Sequence, residues 1–131
     1  MSGSQPNRFV LDTNAVIQLL KGNQEVLKII TNAEYLAISV ISELEFMAFN
    51  GMSQHDQLLF TSFKNRVDVI DLASSDQALI NCICHLRSQS SLKLPDVIIA
   101  ASAMVNDAVL VTADAKLLTY LGDKAVSFGV I

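Results

Sequence analysis

The 131-residue chain has two prolines, two cysteines, no tryptophan and only five glycines. With so little proline and glycine, and no repeat or block of charge, nothing marks a linker between domains. Gly3, Gly22, Gly51, Gly122 and Gly129 lie too far apart to form a phosphate-cradling loop. Charged residues make up 17% against an ordinary share of about 25%. Apolar residues reach 51%, which excludes a disordered chain and a coiled coil. The longest weakly polar run, residues 97–105, includes Ser102 and falls far short of the roughly 20 residues a membrane helix needs. No membrane partner is expected. Met1 to Asn7 contain no apolar core, so no secretory leader is expected there and cytoplasmic localisation is the default. Residues 1–7 read as a flexible tail and residues 8–131 as a single domain. A chain of this length buries roughly two-thirds of its unfolded surface and needs no disulfide or metal to hold it.

Thirteen acids against nine bases give a net charge of −4, so attraction to polyanions is not built into the overall charge. Any nucleic-acid contact must be local. The low charge share and a mean hydropathy of +0.41 also suggest that some apolar surface is covered by a partner or a second copy.

Short β-rich runs alternate with helical patterns. Strands are expected at residues 8–11, 35–38, 67–70 and 108–111, with a weak one at 126–128. Helices are expected at residues 14–21, 24–31, 41–50, 54–64, 74–87, 95–106 and 114–121. Ser74 and Gln77 have capping-box spacing, and Pro95 suits a first helical position. The alternation predicts an α/β fold, a three-layer α/β/α domain with a parallel sheet of four or five strands. In such a sheet the active site lies beyond the carboxyl ends of the strands.

Four acids meet that rule. Asp12 directly follows the first strand, and Asp114 follows the fourth by three residues. Asp96 opens the helix that runs back into the fourth strand, and Glu45 lies early in the helix leaving the second. Ile41, Leu44, Glu45 and Ala48 share one helical face, as do Asp96, Ile99, Ala100 and Ala103, so both acids are expected to face inward. Like charges crowded together raise each other's pKa unless a cation compensates them, and hard oxygen donors suit Mg²⁺ or Mn²⁺ better than zinc. The four carboxyls are therefore expected close enough to share one cation or two. Local roles compete with this reading. Asp12 suits an Asx-turn, Asp96 and Asp114 suit helix N-termini, and Ser42 with Glu45 matches a capping box. Capping explains neither the convergence nor the inward faces.

Phe9-Val-Leu-Asp-Thr-Asn14, Ile38-Ser-Val-Ile-Ser-Glu-Leu-Glu45, Leu94-Pro-Asp96-Val-Ile-Ile-Ala-Ala101 and Leu110-Val-Thr-Ala-Asp114 form an ordered set. The set resembles the motifs of the PIN-domain family of metal-dependent ribonucleases, and within it the VapC-like toxins of bacterial toxin–antitoxin pairs. The resemblance spans about residues 8–128. It departs from the family where Ala48 stands near a customary glycine, and residues 52–91 carry little signature. It implies that Asp12, Asp96 and Asp114 hold Mg²⁺ or Mn²⁺, with Glu45 completing the catalytic set. It also implies endonucleolytic hydrolysis of RNA by an activated water, with RNA as substrate, an antitoxin as partner and a homodimer as assembly. Thr13, Asn14, Ser39 and Thr112 flank the acids, and Asn14 and Thr112 are the preferred supporting donors. Lys93 and Lys116 lie nearest the acids in sequence and are the candidate RNA contacts.

Other signals are weaker. Cys82 and Cys84 would point about 160° apart on a helix, and Cys82 with His85 makes two ligands, too few for zinc. His55 reads as solvated, and Glu43 as facing solvent or a partner. Phe46 and Met47, off the expected inward face, are candidates for a dimer or antitoxin contact. Two alternatives to the ribonuclease remain. One is a catalytically silent RNA- or protein-binding module, and the other an acid-rich α/β phosphohydrolase. Against the second, Asp12-Thr-Asn14 lacks the paired acid of a haloacid-type phosphatase.

Overall fold

The computed structural model describes residues 7–49 and 51–129. The order is β1 (Arg8–Leu11), α1 (Thr13–Leu20), α2 (Gln24–Ile30), β2 (Tyr35–Ser39), α3 (Val40–Ala48) and α4 (Gln54–Lys64). There follow β3 (Asp68–Ile70), α5 (Gln77–Gln89), α6 (Leu94–Val105), β4 (Val109–Val111), α7 (Ala115–Leu121), a 3₁₀ turn (Gly122–Lys124) and β5 (Ala125–Val126). The expected tail lies outside the described residues except for Asn7, whose carbonyl accepts from the N–H groups of Glu34 and Tyr35.

The five strands form one parallel sheet in the order β3-β2-β1-β4-β5. Strand alternation sorts the core into two layers. Phe9 and Leu11 join Val16, Val26, Phe46 and Phe60 on one face, beneath α1, α2, α3 and α4. Val10, Ala37 and Leu110 join Leu79, Ile99 and Leu117 on the other, beneath α5, α6 and α7. Because both faces are covered, the strands read as unbroken apolar runs. Every residue of α6 from Val97 to Ala103 is buried, and its alanines let it lie close to the sheet. Among the described residues no helix is long and apolar enough to cross a membrane.

Gly22, at φ +90°, ends α1 as the sequence suggests. Two caps differ from expectation. Asp76, not Ser74, caps α5 by accepting from the Leu79 N–H, and the helix begins at Gln77. Helix α6 begins one residue earlier than expected, which puts Pro95 second.

The expected face of α3 is corrected. Leu44 is 59% exposed, and Glu45 and Ala48 are also exposed, whereas Ser42 and Phe46 are buried. Phe46 stacks on Phe60 of α4 with ring centroids 4.2 Å apart, and this partner sets the rotation of the helix. Phe46 is thus core rather than a surface contact. Glu43 pairs with Lys64 of α4 at 2.8 Å instead of reaching solvent.

Candidate active site

The strand order reverses between β1 and β4, so their carboxyl ends open a crevice where ligands bind in such sheets. Asp12 stands at that crevice, 5% exposed. Its Oδ1 accepts from the Thr13 N–H (2.8 Å) and caps α1. Its Oδ2 accepts from the Thr112 hydroxyl at 2.7 Å and from the Asn14 side-chain amide at 3.3 Å. A carboxylate has about four acceptor directions, so these three bonds leave one open.

Asn14 and Thr112 both do more than cap a helix. Asn14 Oδ1 accepts from the Ala113 N–H at 3.1 Å, tying the start of α1 to the loop after β4. Thr112 is wholly buried, and while donating to Asp12 it accepts from the Asp114 N–H at 3.0 Å. One hydroxyl therefore links the two aspartates.

Asp114 caps α7, with Oδ1 accepting from the N–H groups of Lys116 (2.8 Å) and Leu117 (3.1 Å). Glu45 accepts a 2.6 Å hydrogen bond from the Thr13 hydroxyl, which also lies 3.0 Å from Ser42 Oγ. The capping-box reading of Ser42 and Glu45 fails because Ser39 caps α3 and Ser42 lies inside the helix. Ser42 is the supporting residue that sequence reasoning missed. Its signal was a polar residue one helical turn before Glu45, on a helix otherwise rich in apolar residues. Asp96 is half-buried in the first turn of α6, while Lys93 and Lys116 are exposed.

The acids feel one another. Burial pushes the Asp12 carboxyl up to about 6, and the charges of Asp96 and Glu45 add to the rise while the Thr112 and Thr13 hydrogen bonds oppose it. Asp96 is also raised, first by burial and then by Asp114 and Glu45, with Lys93 and Lys116 pulling the other way. Among the described residues the ion pairs are Lys28–Glu25 and Lys64–Glu43, and neither involves these four acids.

An all-oxygen donor set without an ion-pair partner fits a hard divalent cation. The geometry is open, however. Among the described residues no three acidic, histidine or cysteine side chains stand within reach of one ion. The expected closeness of all four carboxyls is therefore not reached. Mutual repulsion holds such a set apart, and hydrogen bonds anchor Glu45 and Asp114 to α1 and α7.

Cys82 is half-buried against the α6 side of the core, and Cys84 is exposed with His85. His55 is exposed as expected.

The PIN domain family model matches residues 9–120, and the chain belongs to that family. The fold is similar to a chain of a toxin–antitoxin complex from Klebsiella pneumoniae, with 26% identity and a TM-score of 0.76, covering 93% of this chain and 98% of that one. It is also similar to VapBC2 from Rickettsia felis bound to a DNA fragment from their promoter, at 20% identity and TM-score 0.76, covering 92% and 98%. DNA-bound VapBC from Salmonella typhimurium gives 21% identity and TM-score 0.66, covering 92% and 97%. These last two likenesses speak for the fold alone. No curated protein matches the chain.

Proposed function

We propose that this chain is a Mg²⁺- or Mn²⁺-dependent endoribonuclease and the toxin of a toxin–antitoxin pair. The observation that carries the reading is the set of Asp12, Glu45, Asp96 and Asp114. They come from four chain segments, stand at the carboxyl edge of the sheet, and lie close enough for charge to raise Asp12 and Asp96. Membership of the PIN domain family and the toxin–antitoxin complex among similar folds support it.

Asp12, Asp96 and Asp114 would hold the cation, and Glu45 would complete the set. A bound Mg²⁺ or Mn²⁺ supplies a Lewis acid that acidifies a water and neutralises charge gathering on the phosphodiester. Thr112 and Asn14 keep the Asp12 carboxylate turned toward the crevice with one acceptor direction free. Thr13 holds Glu45 at the rim, where its carboxylate can take the proton of an attacking water. Lys93 and Lys116 bring positive charge to the phosphate beside Asp96.

An antitoxin and a second copy of the chain are the proposed partners. Incubation of the purified protein with single-stranded RNA in Mn²⁺, and then in EDTA, tests the reading. Internal cleavage that stops with the chelator is expected, and cleavage persisting in EDTA overturns the metal mechanism. A protein that binds RNA but never cuts it would favour the silent binding module.

A further inference from the structure

We propose that the groove running from Asp96 and Asp114 along α7 seats the single-stranded RNA next to the cut, with Lys116 on a phosphate and Tyr120 stacked on a base. This rests on the ribonuclease reading above and adds the path of the strand and the residue that reads its bases.

Two surface clefts form the path. The first, of about 400 Å³, is lined by Lys93, Asp96, Asp114 and Lys116. The second, of about 510 Å³, is lined by Gln89, Lys116, Thr119 and Tyr120. They share Ser91, Leu92, Ala115 and Lys116, so they run into each other and lead outward from the acids.

The charge along the path reverses that of the chain. In a protein of net charge −4, the outer cleft is lined by a lysine and by polar and apolar residues, with no acid among its described lining. Neither Lys93 nor Lys116 takes part in an ion pair among the described residues, so both are available to a phosphate. Serine, threonine and glutamine side chains bond phosphate and sugar oxygens without regard to sequence.

Tyr120 is the aromatic on this path. It is 39% exposed, and its hydroxyl makes no hydrogen bond among the described residues. It follows Lys116 by four residues on α7, which puts both on one helical face about 6 Å apart along the axis. A cation beside an exposed ring is the pairing that single-strand binders use, with charge following the backbone and the ring stacking on a base. A duplex keeps its bases stacked on one another and is recognised by shape over about 16 base pairs, far more than these clefts span. The occupant is therefore a single strand.

The test is steady-state cleavage of a mixed-sequence single-stranded RNA in Mn²⁺ by the full chain and its Tyr120→Ala, Tyr120→Phe and Lys116→Ala variants. Tyr120→Ala is expected to raise KM by about 5- to 150-fold, the worth of one base–aromatic stack, with kcat little changed. Tyr120→Phe keeps the ring and should restore the wild-type KM. Lys116→Ala should raise KM and flatten its dependence on salt. An unchanged KM in Tyr120→Ala, while the wild-type chain cleaves normally, overturns this inference alone. So does a Tyr120→Phe variant as impaired as Tyr120→Ala. A wild-type chain that cleaves no RNA in Mn²⁺ overturns the ribonuclease reading, and this inference with it.

Discussion

The buried hydroxyl of Thr112 donates a 2.7 Å hydrogen bond to Oδ2 of Asp12, a hundred residues earlier in the chain. It joins β1 to β4 at the point where the strand order reverses, and it also accepts from the backbone of Asp114. Replacing Thr112 with valine keeps the shape and removes both functions. A hydrogen bond to a charged group is worth about 1.5–3 kcal/mol, and supporting contacts of this kind carry about 10- to 100-fold in metal affinity. We expect Thr112→Val to weaken Mn²⁺ binding by that range, read by titration calorimetry, and Thr112→Ser to restore most of it. Equal affinity in wild type and Thr112→Val would remove Thr112 from the site.

Neutralising one acid separates charge from shape. Asp96→Asn is expected to lower RNA cleavage by about a hundredfold or more, the scale of a lost electrostatic contact in the transition state. Thermal stability in chelator should stay level or rise, because a charge raised by burial and by its acidic neighbours has been removed. A variant that cleaves like wild type would exclude Asp96 from the reaction. One that loses activity only by unfolding would show up in the melting temperature.

The apo protein should lose stability as pH rises, against the usual trend. Asp12 rises from 3.8 to about 6 on folding, so the folded state holds its proton more tightly than the unfolded chain does. That contribution is fully present below about 4 and is lost as pH rises through about 6. It is on the order of 3 kcal/mol for Asp12, and Asp96 shifts in the same direction. In EDTA the melting temperature should therefore be higher near pH 5 than near pH 7.5. Added Mn²⁺ should reverse the order by favouring the charged carboxylates. A flat or rising curve in EDTA would contradict the burial of a charged Asp12.

The expected homodimer now rests on different residues. Phe46 is core, but Leu44 (59% exposed), Met47 (50%) and Phe49 (65%) remain on or beside the outer side of α3, with Leu58 (66%) on α4. Leu44 and Met47 are three apart and share a face. With the four acids set aside, nine acids and nine bases remain, and such a neutral exterior does little to keep apolar surface apart. We expect a dimer burying about 1,000 Å² or more, and a shift toward monomer in the double variant Leu44→Glu, Met47→Glu. Sedimentation at micromolar concentration decides it, and a wild-type monomer there overturns the dimer.

The sheet was legible because strands buried on both faces leave uninterrupted apolar runs, as in Arg8-Phe-Val-Leu11. Asp12 could be placed at the edge because it follows such a run directly. The orientation of α3 was not legible. Val40, Ile41, Leu44, Phe46, Met47 and Ala48 nearly encircle the helix, so periodicity allows several rotations. The choice between them comes from Phe60, fourteen positions after Phe46, a tertiary contact with no local trace. The same rotation puts Glu45 at an exposed rim, within reach of Thr13, and Ser42 beneath it. The edge was readable, whereas the hydrogen bonds that aim the acids depended on packing between helices distant in sequence.

Helix α6 and strand β4, near the end of the chain, pair with β1 near its beginning. At about 5–20 residues per second, a ribosome needs roughly 5–20 seconds to add the stretch from Asp12 to Thr112. Until then β1 has an open edge, Asp12 lacks its buried donor, and Asp96 and Asp114 have not joined it. A nascent, prematurely terminated or clipped chain without β4 thus carries none of the assembled acid edge. Completion of synthesis is itself the safety catch on this site.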